Sequence, residues 1–356
     1  MTVSTAHIPA RLLSASSADA PIARIALDTP LDRLFDYLAP DADISDIGRR
    51  VEVPFGKRRL VGVLVELAQR TEVPHESLKS LLAIDRTIPP LPAELLALAR
   101  FVEGYYHHAL GEVLAMMLPP ALRHTADFAK PRRESQADAF RLTETGREKV
   151  ALIPVRHVGR KALAERLLIG ELACAELTTR DKSVLRAWQT QGWVEPAGSP
   201  SEVPAADDAP ELTEQQAQIV DRLGDYTHAF HALLLHGVTG SGKTEVYLRW
   251  AAEVLAHGRQ VLVLVPEIHL APQLIERFAR RFPSHRLISL HSGLAAGERR
   301  KAWLEALEGR ADIAIGTRLA IFTPLPRLGL IIVDEEHDNA YKQMDGMRYS
   351  ARDIAV

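Results

Sequence analysis

The residues with the plainest chemical capacity lie at 233–244, LLLHGVTGSGKT, where an apolar run leads into the spacing GxxxxGKT. Gly237, Gly240 and Gly242 let a loop curl until backbone N–H groups approach phosphate oxygens, and Val238, Thr239 and Ser241 complete that loop. Lys243 is placed to reach the β- and γ-phosphates of a nucleoside triphosphate, and Thr244 to coordinate Mg²⁺. A second metal-holding group is needed, and 331–337, IIVDEEH, supplies one at the end of an apolar strand. Asp334 would hold Mg²⁺, while Glu335 would position and deprotonate the attacking water. Alone, such an acidic run equally reads as a helix N-terminus; together with the GKT loop it points to nucleotide hydrolysis. His337 either couples that site to a neighbouring segment or is a polar loop residue. Gln216, in LTEQQ, either reads an adenine edge with two hydrogen bonds or is a surface glutamine.

These groups need elements to position them. The runs 233–235, 261–265, 287–290, 313–315 and 328–333 are continuously apolar and alternate with helix-length patterns. Such strands are buried on both faces, which predicts a parallel α/β sheet. After the GKT loop, Val246, Tyr247, Trp250, Ala251 and Val254 share one helical face, and Gly258 follows as a C-terminal cap. Upstream, 22–27 and 50–53 alternate and 60–65 is β-branched, predicting a small β-barrel or sheet. From 93 to 118 the period becomes helical, through Leu95, Leu98, Ala99, Val102 and Tyr106. Between these, 128–194 reads as a winged-helix-like unit in which Leu185 and Trp188 precede a hairpin at 192–194.

The expected organisation is therefore multidomain: a flexible leader at 1–21, an N-terminal β-barrel-like domain at 22–124 and a winged-helix-like domain at 125–195. A linker at 196–211 and an α/β P-loop lobe at 212–356 follow. The linker signal is strongest across 195–211, with four prolines, acids and no apolar period; 85–92 reads as a turn and 130–138 as a surface connection. Charge nearly cancels, 43 Lys+Arg against 46 Asp+Glu, so a uniformly basic nucleic-acid coat is excluded while local patches are not. A single cysteine, Cys174, excludes an intrachain disulfide and a multi-thiolate zinc site, and fits a reducing cytoplasm. The most apolar stretch, 113–122, is ten residues and contains Pro119-Pro120, too short to span a membrane.

Between the phosphate motifs, VPEIHLAPQ (265–273), HSGL (291–294) and GTRLAIF (316–322) each follow an apolar strand, as loops that contact a nucleic-acid backbone would. The basic clusters Arg277/Arg280/Arg281 and Arg299/Arg300/Lys301 lie nearby, although solvated helix faces explain either one. Taken together, GVTGSGKTEVY, VLVLVPEIHLAPQ, LHSGL, GTRLAIF and the stretch from LGLIIVDEEH to the last residue resemble the first RecA-like lobe of PriA-type replication-restart DNA helicases, of helicase superfamily 2. PLDRLFDY (30–37), VEVPFGK (51–57) and YYHHALGEV (105–113) resemble that family's N-terminal domain, so the likeness covers nearly the whole chain from 22 onward.

The resemblance implies an ATP- and Mg²⁺-dependent 3′–5′ DNA helicase that recognises abandoned forks and starts primosome assembly. It would bind forked and single-stranded DNA, cooperate with primosome proteins and single-stranded DNA-binding protein, and act as a cytoplasmic monomer. It implies a pocket for a terminal 3′ nucleotide built from Phe35, Asp36, Gly56 and Lys79, although Phe35 and Tyr37 equally suit a core or turn. It also implies that 341–349, YKQMDGMRY, couples DNA contact to hydrolysis through Tyr341, Lys342, Arg348 and Tyr349. Tyr105, Tyr106, His107 and His108 read as packing between helix and barrel. Leu319, Met347 and Ser350 depart from the family pattern of a small polar residue, an aromatic and a histidine. The sequence stops at Val356, so a second lobe, its arginine finger and a zinc region would lie outside it, and unwinding by this chain alone is not expected. Two other readings compete: a fork-binding module without turnover, and a P-loop ATPase whose substrate is not DNA.

Overall fold

The computed structural model describes residues 21–125, 128, 139–151, 153–154, 157–170, 172–173, 177–197, 209–224, 229–238, 240–266 and 271–356. The expected leader (apart from Pro21), the 130–138 connection, most of the linker, Cys174 and Thr239 lie outside them. The chain divides into two compact units. One takes residues within 21–130, 260–268 and 288–356; the other takes residues within 131–259 and 269–287.

The first unit opens with β1 (Ile22–Leu27), β2 (Phe35–Leu38), β3 (Arg50–Phe55), β4 (Arg58–Ala68) and β5 (Ala83–Ile84), an antiparallel sheet in the order β2-β1-β4-β3-β5. Gly56, at φ 58°, sits in the two-residue turn from β3 to β4, where a positive φ matches the twist of the flanking strands. The sheet curls toward closure. The Leu38 N–H bonds the Lys79 carbonyl at 3.0 Å and Leu81 N–H the Leu38 carbonyl at 2.9 Å, while Leu82 N–H bonds Glu52 across on β3. The barrel-like reading thus rests on the 79–84 segment, which bonds both β2 and β3.

The helical period at 93–118 divides into α1 (Ala93–Tyr106) and α2 (Leu110–Met117). His107 adopts left-handed φ 53°, ψ 48° and bonds Glu103 O, ending α1. A Cβ at Gly111 would stand 1.7 Å from Leu27 O, so only glycine lets α2 lie this close on β1.

The second unit contains β6 (Ala139–Leu142), α3 (Glu144–Ala151), α4 (Val158–Ile169), β7 (Leu172–Ala173), α5 (Thr179–Thr190) and β8 (Val194–Ala197). Its sheet order is β7-β6-β8, and its core gathers Phe140, Leu163, Leu167, Leu185, Trp188 and Val194. The predicted helix and its Leu185/Trp188 face form as α5, but among the described residues no hairpin of consecutive strands follows: β8 pairs with β6, which opens the module. The same unit carries α6 (Glu214–Gly224), α7 (Lys243–Ala256) and α8 (Ala271–Arg281). Gly258, at φ 69°, follows α7 as expected of a cap.

The first unit resumes with β9 (Gln260–Leu264), β10 (Leu287–Leu290), α9 (Ala296–Leu307), β11 (Ile313–Gly316), β12 (Leu328–Val333) and α10 (Ala351–Ala355). The sheet order is β10-β11-β9-β12, with β9 parallel to both neighbours and buried at every position, as continuous apolar runs require. Four of the five predicted strands are there. The fifth, 233–235, is not: it lies outside the sheet with Leu233 and Leu234 exposed, because an apolar run becomes a strand only where a neighbouring edge supplies its hydrogen bonds. Within this unit α1, α2 and the β9–β12 sheet share one core, containing Val102, Leu114, Leu262, Trp303, Phe322, Tyr341 and Tyr349. Among the described residues no helix is long and apolar enough to cross a membrane.

Candidate nucleotide and DNA sites

The glycine loop reaches its helix through two left-handed glycines, Gly240 at φ 81° and Gly242 at φ 80°. Gly242 is the residue before α7, so Lys243 and Thr244 occupy its first turn, where N–H groups are unpaired and the helix dipole favours an anion. A Cβ at Gly237 would come 2.7 Å from Ser241 Oγ, and one at Gly242 would come 2.3 Å from Gln216 Nε2. The loop is therefore a cradle of glycines whose curvature a larger residue would fill. Lys243 Nζ donates to Gly237 O at 2.8 Å and to Val238 O at 3.4 Å, which folds the ammonium over the loop. Curvature, backbone donors, a lysine and a threonine hydroxyl fit a magnesium-bound nucleotide phosphate chain.

Gln216 joins that loop. Its Nε2 donates to Ser241 O at 3.0 Å, while its Oε1 accepts from Thr213 N–H at 2.9 Å. Both amide ends are engaged, and one of them on the loop. α7 is anchored by an ion pair that the motifs did not reveal: Arg281 brackets Glu245 with two bonds of 2.9 and 2.7 Å, and Arg249 adds a third at 2.8 Å. Burial alone would push the Glu245 carboxyl up; the bonds from Arg281 and Arg249 outweigh it and hold it below the usual range. Arg281 thus anchors one helix to another and Arg299 donates to Ser292 O and Leu294 O of the HSGL loop, whereas Arg280 pairs with Glu276 on the exposed face of its own helix.

At the end of β12 the backbone of Asp334 continues the sheet through its N–H to Leu264 O. Glu335 then turns left-handed at φ 47°, an uncommon state for a side-chain-bearing residue and one concentrated at functional turns. Its Oε2 lies 3.8 Å from His337 Nδ1, and both side chains are exposed. Glu336 instead pairs with Arg352 at 3.2 Å. Tyr341 donates its hydroxyl to the Asp334 and Leu264 carbonyls, so this tyrosine braces the acidic turn from inside.

That placement corrects the reading of 341–349. Tyr341 and Tyr349 are 2% and 0% exposed, so neither ring is available to a base; Tyr349 packs on Phe322 at 5.1 Å. Met347 is buried too. What the loop offers solvent is Lys342, Met344, Asp345, Gly346 and Arg348. Leu319 is exposed, and Ser350 caps α10 by accepting from Asp353 N–H.

In the N-terminal sheet Phe35 is half-buried, edge-on to Phe55 at 5.4 Å with the Arg33 guanidinium 5.0 Å from its centroid. Asp36 accepts the Thr71 hydroxyl at 2.5 Å and lies 3.8 Å from Arg24. Gly56 follows Phe55, with open space where a Cβ would stand, and exposed Lys79 meets the end of β2 through its carbonyl. β2 thus links all four expected residues. Phe55 and Arg33, within the PLDRLFDY and VEVPFGK stretches, adjoin them, as does Thr71, which no sequence signal marks. Tyr37 is a core residue: its hydroxyl bonds Pro54 O at 3.1 Å, and burial pushes that hydroxyl up.

An antiparallel sheet module with an acid and aromatic cluster, a parallel sheet ending in a DEEH turn and, in the other unit, a glycine-lysine loop suited to nucleotide phosphate fit the class of box helicases. Residues 24–119 match the model of a 3′ DNA-binding domain, and residues 213–355 match that of a DEAD/DEAH box helicase. The chain is 37% identical over 348 residues to the replication restart protein PriA of Haemophilus influenzae, covering 94% of this chain and 47% of that one. It is 30% identical over 403 residues to PriA of Bacillus subtilis (92% and 50%), and 52% identical over 151 residues to PriA of Synechocystis (42% and 18%). The chain belongs to the PriA-type replication restart helicases and corresponds to their N-terminal half. It spans about half the length of the Haemophilus and Bacillus relatives.

Proposed function

We propose that this chain supplies the fork-recognition and nucleotide-binding parts of an ATP-dependent 3′–5′ DNA helicase that restarts replication. One observation carries the reading: a 3′ DNA-binding module and a box-helicase module follow one another in a single chain. In this reading residues 22–124 bind the 3′ end, 125–195 form a winged-helix-like module, and 212–356 bind nucleotide after a linker at 196–211.

ATP is held by the 237–244 loop, with Lys243 on the β- and γ-phosphates and Gln216 fixing the loop from behind. Thr244 and Asp334 are assigned to Mg²⁺, which when bound screens the phosphate charge. Glu335 orients and deprotonates the attacking water, and His337, 3.8 Å from its carboxylate, steadies it. Phe35 stacks on the terminal base, Asp36 accepts from the 3′ hydroxyl, Gly56 leaves room for the sugar and Lys79 meets phosphate. Lys342 and Arg348 contact the single strand. Strand separation is assigned to the whole-length protein, acting as a cytoplasmic monomer with primosome proteins and single-stranded DNA-binding protein.

The test is ATP hydrolysis by the whole-length protein with and without single-stranded DNA, alongside binding to forks with free or blocked 3′ ends. DNA-stimulated turnover and a preference for the free end are expected. Turnover indifferent to DNA would favour an ATPase with another substrate, and fork binding without turnover would favour a recognition module.

A further inference from the structure

The burial of Tyr341 and Tyr349 leaves the loop after DEEH with exposed cations and no ring to stack a base. The rings are supplied by another element of the same unit. α1 turns Leu95, Ala99 and Val102 into the core, while Phe101 and Tyr105, one helical turn apart, are 50% and 60% exposed. They lie 5.3 Å apart and 19° from parallel, a stacked pair facing solvent. Tyr105 meets Tyr106 edge-on at 4.8 Å, and the Lys342 ammonium stands 5.7 Å from the Tyr106 centroid. The Tyr106 hydroxyl accepts from Ser350 N–H at 3.2 Å, and Lys342 Nζ donates to Arg348 O at 2.9 Å. The rings on α1 and the Lys342 ammonium are therefore tied to one another, with the Arg348 backbone beside them.

We propose that Phe101, Tyr105 and Tyr106, continued by Lys342 and Arg348, form a stacking track for single-stranded DNA, separate from the residues assigned to the terminal 3′ nucleotide. Exposed rings interleaved with cations are what sequence-tolerant single-strand binding requires, because every base has a π-face and every nucleotide a phosphate. The cations select a polyanion as occupant. Glu103, the acid between Phe101 and Tyr105 in the helix, is already paired with Arg100 at 3.1 Å. The track is also continuous with the loop to which DNA contact is already assigned, and the inference rests on that DNA-binding reading.

The experiment is fluorescence anisotropy of a labelled oligothymidylate titrated with the full chain at several salt concentrations. Phe101→Ala and Tyr105→Ala should each weaken binding about tenfold without changing the salt slope, since neither ring touches a phosphate counterion. Lys342→Gln should weaken binding and reduce the log–log salt slope by about 0.7. Tyr105→Trp should preserve affinity, and unchanged melting temperatures of the two alanine variants would show that the fold is intact. If the unsubstituted chain binds while both alanine variants bind equally well, the track is refuted and the ring pair is left as a protein-contact patch. If the unsubstituted chain does not bind the oligonucleotide, the DNA-binding reading beneath it fails.

Discussion

Trp303 of α9 donates its indole N–H to the backbone carbonyl of Met117 at the end of α2, a buried 3.1 Å bond between residues 186 positions apart. The module matched as a 3′ DNA-binding domain and the sheet carrying DEEH are therefore not beads on a string. They share a core in which Trp303 is both filler and hydrogen-bond donor. Trp303→Ala should destabilise the unit by about 3–5 kcal/mol through the cavity it leaves. Trp303→Phe should cost less, with the stranded Met117 carbonyl contributing about 1–3 kcal/mol. Urea unfolding followed by circular dichroism reads both.

A second long-range tie lies inside the N-terminal sheet. Arg50 and Asp85 form an ion pair that is 3% and 0% exposed, and Arg50 also donates to Leu122 O at 2.7 Å. Removing one partner strands the other charge in the interior. Asp85→Ala should destabilise by about 3–5 kcal/mol, whereas an apolar pair of similar volume at both positions should be close to neutral. Equal losses in the single and double variants would show that the pair is not the source of the effect.

These two ties mark where sequence reading reached its limit. The runs at 261–265 and 328–333 disclose buried parallel strands because continuous apolarity has one common structural cause, and Gly240 and Gly242 disclose a loop because positive φ has one cheap solution. The roles proposed for Lys243, Thr244, Asp334 and Glu335 rest on the same kind of pattern. What was not legible depends on partners far away in the chain. Leu233, Leu234 and Leu235 read as a strand but belong to none, and Leu233 and Leu234 are exposed. Tyr341 and Tyr349 carry the composition of a stacking loop, yet their rings fill the core; composition does not say which way a side chain faces. Arg281 reads as a surface cation until Glu245 is found beside it.

Stability should also respond to acid through Asp46. Hydrogen bonds from Arg86 at 3.0 and 2.6 Å hold its carboxyl below the usual range; burial opposes this, and Asp43 N–H and Arg49 add to it. A carboxyl with a depressed folded pKa contributes stability that is complete above its unfolded value, about 3.9, and is lost as pH falls through the folded value. Asp46→Asn should lower stability at pH 7 and flatten the decline below about pH 4. Melting temperatures of both proteins across that range provide the check. Parallel curves would exclude Asp46 as the titrating group.

At the glycine loop, Lys243 Nζ is bonded to the carbonyls of Gly237 and Val238. If it serves phosphate, it must exchange those neutral acceptors for charged ones, which form the stronger bonds. Lys243→Ala should therefore abolish measurable binding of a fluorescent ATP analogue while leaving oligonucleotide affinity unchanged. Loss of both would point to a damaged fold, and loss of neither would remove the phosphate role.

The 3′-end assignment turns on Asp36, whose carboxylate already accepts the Thr71 hydroxyl at 2.5 Å. That bond leaves lone pairs for a second donor and fixes the rotamer, so the carboxylate is oriented before DNA arrives. A hydrogen bond to a charged acceptor is worth about 1.5–3 kcal/mol, or roughly 10- to 150-fold in affinity. Asp36→Ala should erase a preference of that size for forks with a free 3′ hydroxyl over forks blocked by a 3′ phosphate, with blocked-fork affinity unaltered. Thr71→Val should reduce the preference part of the way, since it loosens the carboxylate without removing it. Competition binding with the two fork types measures each case, and an undiminished preference in Asp36→Ala would transfer 3′ recognition to other residues.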